Sequence, residues 1–315
     1  MNIVVLDAAT LGDDLDLTPL SAVGNVTVYP TTAPDEIAAR VQGAQVVIIN
    51  KIKLNATTLN GVTTLKLICV AATGYDNIDL DYCRTHGIAL YNVPGYSTDS
   101  VAQVTASMAL SLATHLTAYR NFVHSGAYTD GGVANRLTPV YHELSSMTWG
   151  VVGGGGIGSR VAQIAQAMGC RVLMCRRKPD HRYEQVDIDT LCRESDIVSL
   201  HVPLTDETRH LINRERLSAM KDGAILINVA RGAVTDEQAV AQAVESGKLG
   251  GLGVDVYSLE PFDKEHPFTR LLDRDNVCFT PHMAWGSAEA RRRCLNVMID
   301  NIRSFEANSD RNRIV

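Results

Sequence analysis

The sequence predicts an α/β protein built from two doubly wound parallel-sheet domains. Three observations carry this expectation. Short apolar, β-branched runs alternate with helical patterns along the 315 residues, as in βαβ units whose sheet is covered on both faces. That length exceeds one ordinary domain and favours about two, each able to bury its own core. A content of 45% hydrophobic and 20% charged residues with 24 glycines, and no low-complexity tract, is that of a globular α/β chain.

The elements follow in order. In the first half, apolar runs at 3–6, 26–29, 46–50, 65–70 and 88–92 read as five short strands, which suggests a flavodoxin-like sheet. A helix over 98–121 comes next, with Val101, Val104, Met108, Leu112 and Leu116 on one face, long enough to link two domains. The segment from Phe122 to Ser146 has little regular pattern. Strands resume at 149–152, 172–175, 197–200, 224–229, 252–256 and 277–280, which makes a second doubly wound sheet. Thr235 to Gln238 fits a capping box before Ala239, Val240, Ala243 and Val244, and Gly247 closes that helix. A last helix spans 287–305 and carries Leu295, Met298, Ile299 and Ile302.

Charge and cysteine usage narrow the function classes. A net charge of −6 argues against general affinity for nucleic acid or an anionic membrane surface. Cys69, Cys83, Cys170, Cys175, Cys192, Cys278 and Cys294 are odd in number and scattered, with no CxxC pair, so they read as reduced thiols and no metal site is expected. Met1 leads directly into a strand without a basic n-region or cleavage site, and no run of about 18 apolar residues occurs, so a cytoplasmic location is expected.

Gly153-Gly154-Gly155-Gly156-Ile157-Gly158 follows a strand and opens a helix with Val161, Ile164, Ala165 and Met168 inward, the context a GxGxxG fingerprint requires. Gly153 permits the turn, Gly155 lets the backbone approach a pyrophosphate, and Gly158 lets helix and strand touch, while the helix N-terminus offers free amides. A dinucleotide is therefore the expected ligand. An acidic residue should end the next strand if both ribose hydroxyls are to be held, yet that strand runs into Arg176, Arg177 and Lys178. A guanidinium can bind a 2′-phosphate bidentately, worth about 1.5–3 kcal/mol, so NADP(H) is expected to be preferred roughly 10- to 100-fold, with NAD(H) possible. A solvated basic turn in an NAD enzyme is the competing reading.

Ligands of open α/β sheets bind beyond the carboxyl ends of strands. Thr73 and Gly74, Arg231, Glu260 and His282 each follow a predicted strand end, and Lys51 follows another.

These residues, with Asn92-Val93-Pro94-Gly95, His201-Val202-Pro203-Leu204-Thr205, Ile227 to Gly232, Val254-Asp255-Val256, Glu260-Pro261 and Thr280-Pro281-His282, give the chain a resemblance over nearly its whole length to the D-isomer-specific 2-hydroxyacid dehydrogenases. Asn50-Lys51, Ala72 to Asp76, Tyr96 to Gln103 and His282-Met283-Ala284-Trp285 resemble the glycerate dehydrogenase or hydroxypyruvate (glyoxylate) reductase branch. Ala72 stands where that family's loop has its first glycine.

The resemblance implies a flavodoxin-like substrate domain (1–98 plus 285–315), a Rossmann cofactor domain (99–284) and a catalytic cleft between them. It implies that Arg231 pairs with the substrate carboxylate and polarises the keto oxygen, that His282 is the general acid, and that Glu260 orients His282. Cofactor contacts are implied for Gly156, Ile157, Val202, Pro203, Val229, Ala230 and Asp255, beside the loop glycines and Arg176 and Arg177. Substrate contacts are implied for Thr73, Gly74, Lys51 and Arg231. Trp285 would wall the pocket against long side chains. The 2-oxo or 2-hydroxy acid would thus be small, hydroxypyruvate or glyoxylate, and a homodimer is expected through the 122–146 arm. The same fold and residues also occur in dinucleotide-sensing corepressors, but no basic or disordered extension is visible. Other 2-hydroxy acids stay open as substrates.

Overall fold

Parallel strands dominate the computed structural model, which describes residues 1–178 and 181–315 and divides into residues 1–97 with 286–315 and residues 98–285.

In the first unit, β1 (Asn2–Val5), β2 (Asn25–Val28), β3 (Val46–Ile49), β4 (Leu67–Val70) and β5 (Ala89–Tyr91) form one parallel sheet in the order β2-β1-β3-β4-β5. This is the flavodoxin-like order. β3 and β4 are buried throughout, whereas the edge strand β2 is largely exposed, so apolar runs without alternation mark the centre. Helices α1 (Ile37–Val41) and α2 (Leu80–His86) cover the sheet, α2 capped by Asp79, which accepts from the Tyr82 N–H, and closed by left-handed Gly87.

The second unit contains α3 (Thr98–Ala113), α4 (Leu116–His124), α5 (Ala127–Asp130), β6 (Thr148–Val152), α6 (Gly156–Ala167), β7 (Arg171–Cys175), β8 (Glu184–Gln185), α7 (Ile188–Glu194), β9 (Ile197–Leu200), α8 (Arg214–Ala219), β10 (Ala224–Asn228), α9 (Glu237–Glu245), β11 (Leu249–Val254) and β12 (Val277–Phe279). Its seven strands run β12-β11-β10-β9-β6-β7-β8, all parallel, with the order reversing between β6 and β9. Pairing sets Cys175 beside Val152, Val152 beside Leu200, Leu200 beside Asn228, Asn228 beside Val254 and Val254 beside Phe279. One row of strand ends thus crosses the sheet. In the first unit, the last helix, α10 (Ala288–Glu306), is capped by Ser287 and buries Cys294, Leu295, Met298, Ile299 and Ile302, packing on β4. None of the helices, among the described residues, is long and apolar enough to cross a membrane.

Three expectations need correction, and one strand lies outside them. The helix expected over 98–121 is two helices, because His115 takes φ +52° and a left-handed residue cannot continue a right-handed helix. The cap of α9 is Asp236, accepting from the Ala239 N–H, while the Thr235 hydroxyl donates to Gly232 O. β11 starts three residues before the expected 252, since Gly250 lies so close to Gly223 that a Cβ would sit 2.4 Å from its carbonyl oxygen. β8 is too short to leave a periodic signal.

Candidate active site

The row of strand ends in the second unit delivers Arg176, Gly153, His201, Val229, Asp255 and Thr280 to one edge of the sheet, each directly after its strand. Gly153 adopts φ +98° and its N–H donates to Cys175 O at 2.8 Å. A Cβ on Gly158 would stand 1.8 Å from Gly153 O, so only glycine lets α6 start this close to β6. A Cβ on Gly155 would meet nothing within 4 Å. The loop is open where a pyrophosphate would approach, and the first amides of α6 (Gly156, Ile157, Gly158) have no acceptor within their own helix. These residues fit a dinucleotide.

Arg176 is half-buried and folds back over that loop, its Cδ 2.5 Å from where a Gly154 Cβ would be. Arg177 is exposed beside it. Val202 reaches to 2.9 Å of a Cβ placed on Gly153, and the Pro203 carbonyl accepts from Thr208 Oγ1 at 2.6 Å. His201 places Nε2 3.0 Å from Ser199 Oγ, and burial pushes its imidazole down to about 3. It is neutral at working pH and is no proton donor.

Arg231 is aimed by the end of β10. Asn228 Oδ1 accepts from the Ala230 N–H at 3.0 Å and Nδ2 donates to Arg231 O at 2.9 Å, turning the chain through Val229 and Ala230. The Arg231 Nη1 donates to Ala230 O at 2.8 Å. Gly232 then lies against the Tyr257–Ser258 peptide, where a Cβ would come within 2.0 Å of Tyr257 C.

Asp255, 1% exposed, accepts from Thr280 Oγ1 at 2.6 Å and from the N–H groups of Met283 and Ala284 at 2.8 and 3.0 Å. Burial pushes this carboxyl above its usual range, while those donors and the His282 charge pull it back. The resemblance gives Asp255 a cofactor contact; here its carboxylate braces the turn that carries His282. That histidine has φ +53°, a conformation β-carbon residues seldom adopt. Its Nδ1 stands 2.7 Å from Glu260 Oε2, and Glu260 Oε1 accepts from the Tyr257 N–H at 2.9 Å. Both side chains keep solvent contact, 22% and 31% exposed. Trp285, half-buried, closes the unit.

Lys51, Thr73 and Gly74 belong to the first unit. Lys51 is exposed beyond β3, in a turn that draws its support from another strand end. Buried Asp7, just beyond β1, supplies it by accepting from the N–H groups of Asn50, Lys51 and Ile52 at 2.9, 2.7 and 3.2 Å. Thr73 donates from Oγ1 to Val93 O at 2.8 Å, and Asn92 Nδ2 donates to Thr73 O at 2.7 Å. Asp7 and Asn228 were both missed as supports. The signal available was an acid or amide closing an apolar strand.

Residues 106–284 match the family model described as D-isomer specific 2-hydroxyacid dehydrogenase, NAD binding domain. A glycerate dehydrogenase of Methylorubrum extorquens is 36% identical over 282 residues, covering 90% of this chain and 89% of the relative. A hydroxypyruvate reductase of Blautia hydrogenotrophica is 33% identical over 314 residues, 97% of each chain. The crystal structure of a D-lactate dehydrogenase from Aquifex aeolicus, complexed with NAD and lactic acid, superposes with a TM-score of 0.87 at 31% identity, covering 100% of this chain and 99% of that one. With a glycine loop fit for a dinucleotide and a carboxylate-held histidine on the same row of strand ends, the chain belongs to the D-isomer specific 2-hydroxyacid dehydrogenase family.

Proposed function

We propose that this chain is a reductase of small 2-oxo acids, hydroxypyruvate or glyoxylate, that prefers NADPH over NADH and works through Arg231, Glu260 and His282. The observation that carries the reading is the 2.7 Å pair between His282 Nδ1 and Glu260 Oε2. A carboxylate at Nδ1 fixes the tautomer, which leaves Nε2 as the nitrogen that exchanges protons with substrate. The nicotinamide, when bound, supplies the hydride. Arg231 holds the substrate carboxylate and draws electron density onto the keto oxygen. As the C=O π pair moves onto that oxygen, His282 gives it the Nε2 proton, producing the hydroxy acid, and takes a replacement from solvent. Proton donation of this kind is worth about 10²- to 10⁴-fold in rate. Lys51, Thr73 and Gly74 belong to the same reading as carboxylate-holding groups, and Trp285 as the wall that keeps side chains short.

The NADPH preference rests on Arg176 lying over the glycine loop and on β7 running directly into Arg176, Arg177 and Lys178 with no acid among them. A homodimer is supported by the 122–146 arm, where Leu137, Val140 and Val133 are 73%, 68% and 64% exposed, more apolar side chain than a free surface usually shows. A cytoplasmic setting accords with seven cysteines that are all free thiols. Initial rates with hydroxypyruvate, glyoxylate, pyruvate and 2-oxo-4-methylpentanoate, each with NADPH and NADH, test the reading. Fastest turnover is expected for the first two with NADPH. Equal or faster turnover of 2-oxo-4-methylpentanoate contradicts the size limit, and a clear NADH preference contradicts the cofactor assignment.

A further inference from the structure

Glu260 lies on a turn that a second carboxylate holds. Glu237, the first residue of α9, is 9% exposed, and its Oε1 accepts from the Ser258 N–H at 2.9 Å. Its Oε2 accepts from Ser258 Oγ, in a short hydrogen bond, and from His266 Nε2 at 3.0 Å. His266, 7% exposed, accepts through Nδ1 from the Phe268 N–H at 3.2 Å. An Nδ1 that accepts carries no proton, so Nε2 bears the hydrogen that reaches Glu237. Successive peptide N–H groups of one turn therefore serve two carboxylates, Tyr257 that of Glu260 and Ser258 that of Glu237. Gly232, next to Arg231, lies against the same peptide.

A buried carboxylate is costly unless its lone pairs are met, and this one is met by three donors, two of them on one residue of the turn. We propose that Glu237, steadied by His266, is a positioning residue that fixes the 257–260 turn so that Glu260 stays aimed at His282. The inference rests on the reading of Glu260 and His282 as the proton-donating pair. An amide is expected not to serve in its place. All three partners of Glu237 donate, so whichever way a glutamine were turned, its NH₂ would face either the Ser258 N–H or the His266 Nε2–H.

The test is a double-mutant cycle in the full chain with hydroxypyruvate and NADPH, reading kcat, KM and cofactor affinity by nicotinamide fluorescence. Glu260→Gln is expected to lower kcat about 100-fold and Glu237→Gln roughly 10-fold, with cofactor affinity unchanged in both. Because Glu237 acts through Glu260, the doubly substituted chain should be no slower than Glu260→Gln alone. Should Glu237→Gln fail to fold, His266→Asn keeps an acceptor for the Phe268 N–H, removes the donor to Glu237 together with the ring's contacts to Tyr257, Phe262 and Phe268, and enters the same cycle with the same expectation. Losses that multiply, or an unchanged kcat in both Glu237→Gln and His266→Asn, overturn the inference while the pair itself stands. Unchanged kcat in Glu260→Gln overturns the reading of the pair and this inference with it.

Discussion

At the scale of single residues, the site depends on positions where an added atom has no room. A Cβ on Gly158 would collide with Gly153 O, so Gly158→Ala must part α6 from β6. Cofactor affinity is expected to fall at least about 10-fold, one to two kcal/mol of lost backbone approach, measured by fluorescence titration. Gly232→Ala would strike the Tyr257–Ser258 peptide and should lower kcat more than cofactor affinity, since it displaces the turn bearing Glu260. Arg176→Ala should cut kcat/KM for NADPH by roughly 10- to 100-fold and leave the NADH value nearly unchanged, as expected for loss of one charge-assisted bidentate contact. A parallel loss with both cofactors would show that Arg176 supports the loop and does not read the phosphate. The glycines and Arg176 were legible because a fingerprint and a missing acid are local patterns. Asp7, Asn228 and Glu237 were not, because their partners lie in other segments and an isolated acid or amide reads as an ordinary cap.

At the scale of elements, strands were legible and helix boundaries less so. A fully buried parallel strand leaves a continuous apolar run, as in Val46–Ile49 and Ala224–Asn228. The break at His115 leaves none, since Val104, Met108, Leu112 and Leu116 keep helical spacing across it. β9 carries a testable pH dependence through His201 just beyond it. Burial lowers that imidazole from 6.5 to about 3, so the folded state binds fewer protons than the unfolded chain between those values. The contribution is fully present above pH 6.5 and is lost as pH falls through that window towards 3. Denaturant midpoints measured across it should fall with acid less steeply in His201→Gln than in the parent chain. Identical slopes would place the acid sensitivity elsewhere.

At the scale of the whole molecule, two parallel sheets follow from alternating strand and helix patterns, and the order reversal between β6 and β9 puts the glycine loop at the switch point where such sheets bind ligands. The proposed dimer through the 122–146 arm rests on exposure and not on periodicity, since Val133, Leu137 and Val140 stand out there only by being exposed. Paired substitution Leu137→Asp with Val140→Asp should convert a dimer to a monomer by light scattering while each unit remains folded. A wild-type chain that sedimented as a monomer would contradict that arm as an interface. The central claim is that His282, held by Glu260, protonates the reduced 2-oxo acid. Its most direct test is kcat of His282→Ala for hydroxypyruvate with NADPH, alongside cofactor affinity. The account predicts a fall of about 10²- to 10⁴-fold with cofactor affinity unchanged; near-normal turnover in that variant would contradict it.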